Sequence, residues 1–115
     1  MTYTQMVRKI NTAGAWFTGV FMGELLVRYP QYQQDQASRV AFIQYMHQEY
    51  GVNLNYTYDT TKTKCYALIS LIENRMVSQT LDYIIQCNES KIGKEPIEHA
   101  QLLKEAIVQG KVNIP

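Results

Sequence analysis

TQMVRKINTAGAWFTGVFMGELLVR, residues 4–28, decides how the chain folds. Met6, Ile10, Ala13, Phe17, Val20 and Phe21 recur in it at spacings of three and four. That is the spacing at which side chains return to one face of an α-helix. The stretch predicts one long helix, or two that abut with a break at Gly14. Pro30 is expected to end it, because the residue before a proline is pushed out of the helical region. Ala15, Gly19 and Gly23 repeat every four residues, a smooth strip on which another backbone can come close. An internal glycine costs up to about 1 kcal/mol against alanine, so close packing is the natural offset.

The same apolar run follows Arg8 and Lys9 and superficially resembles a signal peptide. No small-residue cleavage site precedes Pro30, and the amphipathic pattern continues through Glu24. A membrane span needs about 20 apolar residues, and Glu24 interrupts the run first. The reading is a cytoplasmic protein without a membrane partner. The Asn-x-Thr/Ser triplets at Asn55 and Asn88 are then chance matches.

Beyond Pro30, residues 29–36 form a glutamine-rich polar connection. Residues 36–50 show a helical stripe of Val40, Phe42, Ile43, Met46 and Tyr50. Gly51 is expected to stop that helix by taking the left-handed conformation. Residues 52–58 alternate Val52, Leu54, Tyr56 and Tyr58 with polar neighbours. Alternation favours a strand, but a lone strand leaves its own backbone groups unpaired, so it would need a partner in another copy of the chain or in a short segment such as Val112–Ile114. The segment reads as an extended connection, with a strand as the alternative.

Asp59 or Thr60 suits the cap of a helix over 61–75, with Cys65, Leu68, Ile69 and Ile72 on its buried face. Residues 78–87 carry another stripe, Leu81, Ile84 and Ile85. The two are one rod or a hairpin turning near Met76. A polar loop is expected at 88–94. Pro96 fits the first position of a last helix with Ile97, Ala100, Leu103 and Ile107 inward, and Gly110 fits its C-terminal cap. The fold expected is an all-α single domain over 1–115, a bundle of four to five helices.

Composition bounds the function. The 115 residues are 46% hydrophobic and 18% charged, with net charge +1. No block of the chain is strongly basic, as a phosphate-binding face would require. Nine tyrosines fit core edges or an interface. Cys65, Cys87, His47 and His99 match a zinc ligand set in number, but no C-x-x-C or H-x-x-x-H spacing occurs. Two buried apolar cysteines and two surface histidines are the plainer reading. Glu24 would have a raised pKa if buried, and otherwise lies on the polar side of its helix. No Gly-rich phosphate loop is present.

Three functions follow. The leading one is a non-catalytic interaction module that self-associates or docks a protein partner, using Ala15, Gly19, Gly23, Tyr56 and Tyr58. It needs no cofactor and no metal. The second is a helix-turn-helix-like DNA-binding regulator over 70–86, with Lys62, Lys64 and Arg75 as its basic surface. The third is a small metal-binding or enzymatic protein using the two cysteines and two histidines.

Overall fold

A computed structural model describes all 115 residues. The chain is all-α, with seven helices, one π-helical turn and no strand. The helices are α1 (Tyr3–Ala13), α2 (Ala15–Tyr32), α3 (Gln36–Met46), α4 (Tyr58–Glu73), α5 (Val77–Ile85), α6 (Glu89–Ile92) and α7 (Lys94–Val108). The count exceeds four or five for three reasons. The first stretch splits at Gly14, the region after 58 splits at 74–76, and the expected polar loop at 88–94 contains α6, capped by Asn88.

Gly14 breaks the first stretch because its φ of 87° lies in the left-handed region, where a side chain is strained. Its N–H donates to Ile10 O and its carbonyl accepts from Thr18 N–H and Thr18 Oγ1. Lys64 Nζ of α4 donates to the neighbouring Ala13 carbonyl at 2.7 Å. The joint is therefore closed by hydrogen bonds from both sides. Thr2 and Gln5 form a capping box at the start of α1.

Pro30 does not end α2, which continues to Tyr32. A proline in the last turn removes only one intrahelical donor, and the aromatic residues around it hold that turn in place. Tyr32 is fully buried, stacks on Phe42 with ring centroids 4.4 Å apart, and donates its hydroxyl to Leu25 O at 2.8 Å. Tyr29 stands edge-on to Tyr32 and donates to Glu73.

Gly51 does not take a left-handed conformation. It closes the π turn His47–Gly51, with Val52 N–H donating to His47 O. Its lack of a side chain is needed because a Cβ there would fall 2.5 Å from His47 Nδ1 and collide with Thr61 Oγ1. Those two atoms are hydrogen-bonded at 3.0 Å.

Residues 52–58 form neither a strand nor an extended connection. Asn55 has φ 61°, Asn55 N–H donates to Val52 O and Tyr56 N–H donates to Gly51 O. That is a Schellman turn with Asn55 in the left-handed position. Leu54 and Tyr56 both pack on the core while Val52 is exposed. The same motif ends α4, with Arg75 at φ 59° and Met76 N–H donating to Leu71 O. It ends α7 as well, at Gly110. Thr57, not Asp59 or Thr60, caps α4.

One core of 23 buried apolar residues draws on α1 to α5 and α7. The most extensive helix pair is α2 with α7, followed by α1 with α4 and α5 with α7. Pro96 occupies the third position of α7 rather than the first, where its missing N–H is equally harmless. There it lies on Gly19, and Leu103 lies opposite Gly23. The pairs advance together, so α2 and α7 run parallel. This brings residues 111–115 to the end of α2.

Candidate interaction groove

The parallel pairing of α2 and α7 leaves a groove where both helices end. Leu26, Val27, Tyr29 and Pro30 of α2 form one wall, and residues 111–115 form the other. The space is about 440 Å³ and half-open to solvent. That lies within the range of small-molecule pockets, about 300–1,000 Å³. Val27 on its edge is 64% exposed, and Ile114 across from it is 37% exposed. Val108, in the last turn of α7, is 79% exposed.

The second wall has unused bonding capacity. Lys111 N–H donates to Ala106 O, but no backbone N–H or C=O of Val112, Asn113 or Ile114 is hydrogen-bonded within the chain. Val112 is held by packing against the core. Lys111 is the one charged side chain lining the groove, and it makes no ion pair. The floor is fixed by Tyr29, whose hydroxyl goes to Glu73 while Arg39 grips the same carboxylate from α3. Burial and the Glu73 contact raise the Tyr29 pKa, so the phenol stays neutral and acts as a donor.

The residues singled out from sequence lie elsewhere. The Ala15, Gly19, Gly23 strip faces α7 of the same chain at Gly19 and Gly23: a Cβ on Gly19 would sit 2.5 Å from Pro96 Cβ. Tyr56 is half-buried against Phe17, with Lys64 Nζ 5.2 Å from its ring centroid. Tyr58 is half-buried and stands edge-on to His47.

Glu24 is half-buried on the side facing α3. Arg28 Nε donates to it at 2.6 Å, and Tyr45 donates its hydroxyl to it at 3.3 Å. Cys65 is buried, and desolvation pushes its thiol up to about 12. Cys87 donates to Tyr83 O, and burial raises its pKa too. Both thiols are free. His99 is exposed on α7 beside Glu95. No three His, Cys, Asp or Glu side chains of the chain converge as a metal-ligand group.

Of the basic surface expected beside the helix-turn-helix segment, Lys64 turns inward to Ala13 O, and desolvation lowers its pKa. Asp82 of α5 is held by Lys104 of α7. No helix is long and apolar enough to cross a membrane.

Sequence reasoning gave Val27 and Lys111 no role, and it named Val112–Ile114 only as a possible pairing partner for a strand at 52–58. The only local signal was the isolated apolar pair at 112 and 114. Comparison with family models, curated proteins and solved structures returned no match.

Proposed function

We propose that the chain is a non-catalytic helical interaction module that docks a protein partner in the groove between the end of α2 and residues 111–115. The observation that carries this is the half-open apolar cleft with Val27 and Ile114 at its mouth. Contiguous exposed apolar patches rimmed by polar residues mark interaction sites when they are large. Gln33, Lys111 and Asn113 supply that rim. The two unbridged thiols fit a reducing compartment, which supports a cytoplasmic location.

The test is a selection of peptide ligands from a random displayed library, with each ligand mapped by amide chemical shifts. Ligands are expected to move the amides of Leu26, Val27, Tyr29 and Val112, and to lose binding to the Val27→Arg variant. Val27 is exposed, so the fold tolerates that change. Ligands that gather on another face, or bind Val27→Arg unchanged, refute the proposal.

A further inference from the structure

A hollow separate from the groove lies between the last turn of α1 and the first turns of α4. It holds about 290 Å³ and is lined by Thr12, Asp59, Thr60, Thr63 and Lys64, with no apolar side chain. That volume sits at the foot of the range for small-molecule pockets, about 300–1,000 Å³, so the space suits a molecule of a few carbons.

Lys64 is the one amine in it. The chain has seven lysines, and Lys64 is the one that is not exposed. Its Nζ donates to Ala13 O at 2.7 Å and lies 5.8 Å from the Phe17 ring centroid and 5.2 Å from that of Tyr56. Both rings stand near the outer limit of cation–π attraction, about 6 Å. No carboxylate comes within ion-pair distance of the amine. An ammonium desolvated without a counter-ion gives up its proton more readily, and burial holds this one below the ordinary lysine pKa. The neutral amine so formed is a nucleophile towards carbonyl carbon.

The other lining groups have bonding capacity to spare. Thr60 Oγ1 accepts from Thr57 Oγ1, which leaves its own O–H free to donate. Thr12 donates to Arg8 O and keeps lone pairs that can accept. Asp59 makes no ion pair. Donors and acceptors together match a hydroxyl group beside the reacting carbonyl.

We infer that Lys64 is a covalent site for small hydroxylated aldehydes. Nζ attacks the carbonyl carbon, the C=O electron pair moves to oxygen, and a proton passes from nitrogen to that oxygen through solvent. The carbinolamine then loses water and leaves an imine, with no change in oxidation state. The protonated imine keeps one N–H, and Ala13 O is placed to accept from it. The site stands whether or not the groove docks a partner.

The experiment exposes the full chain to glycolaldehyde near neutral pH, with cyanoborohydride to reduce each imine to a stable amine. Mass spectrometry of the digested protein reads the rate at every lysine. Lys64 is expected to be labelled about tenfold faster than the mean of the six exposed lysines. That preference should vanish in concentrated urea. It should fall about threefold with propanal, which has similar size and no hydroxyl. Thr63→Leu, at an exposed position, narrows the hollow and should slow labelling of Lys64 alone. Labelling of Lys64 no faster than that of the exposed lysines overturns the inference. So does a preference that survives urea, that is equal for propanal, or that Thr63→Leu leaves unchanged.

Discussion

Gly19 of α2 lies directly beneath Pro96 of α7, so close that a Cβ on Gly19 would stand 2.7 Å from the Pro96 carbonyl oxygen. Four residues on, a Cβ on Gly23 would meet only the Leu103 methyls at 3.8 Å, an ordinary contact. The two glycines share a strip and differ in what opposes them.

That difference sets a paired prediction. Gly19→Ala must push against main chain and a rigid ring, and should cost about 2–3 kcal/mol. Gly23→Ala has room and gains helix propensity, and should stabilise by up to about 1 kcal/mol. Urea unfolding of both variants measures it. Equal effects of the two would contradict the α2–α7 crossing.

Arg75 holds the left-handed position at the end of α4 and makes no ion pair. A residue with a Cβ costs about 1–2 kcal/mol there, while glycine costs nothing sterically. Arg75→Gly should raise stability by about 1 kcal/mol after the loss of unfolded-state restriction. Asn55→Gly should gain less, because asparagine tolerates that conformation better. A fall in melting temperature for Arg75→Gly would argue against the turn.

Thr80 is fully buried in α5, and its hydroxyl has no hydrogen-bond partner. A polar group in that position costs about 1–3 kcal/mol. Thr80→Val keeps the shape and removes the group, so it should stabilise by about 1 kcal/mol. Thr80→Ser keeps the hydroxyl and deletes a methyl, so it should destabilise by about 1 kcal/mol. Chemical denaturation of the pair separates the two terms.

The Arg39 guanidinium holds the Glu73 carboxyl below the usual glutamate range; burial opposes it, and the Tyr29 hydroxyl adds a smaller lowering effect. A carboxyl with a lowered folded-state pKa adds stability at every pH above its unfolded value, about 4.3. That contribution fades as pH falls through the lowered folded value. Glu73→Gln should therefore flatten the acid limb of stability against pH. The change should stay below about 1 kcal/mol, because the pair is partly exposed and screened. An unaltered acid limb would mean that the pair contributes nothing.

Much of the fold was legible because helical periodicity is local. Met6, Ile10, Ala13 and Phe17 sit on the predicted face and are all buried. Gly110 caps α7 where its position indicated. The misreadings arose where distant contacts set local geometry. Pro30 stays helical because Tyr32 is anchored on Phe42, ten residues later in sequence. Gly51 is required by Thr61, not by its own dihedral angles. The alternation at 52–58 comes from a turn that points Leu54 and Tyr56 at the core. The groove was illegible for the same reason on a larger scale, since residues 26–33 meet residues 111–115 only after α7 docks on α2.

The most direct test of the central claim is an amide hydrogen-exchange footprint of the protein with a library-selected peptide bound. The claim predicts new protection at residues 26–33 and at the unbonded amides of Val112, Asn113 and Ile114, with none added at 15–23. Protection falling on the exposed faces of α1 or α4, with residues 112–114 exchanging as freely as before, would contradict it.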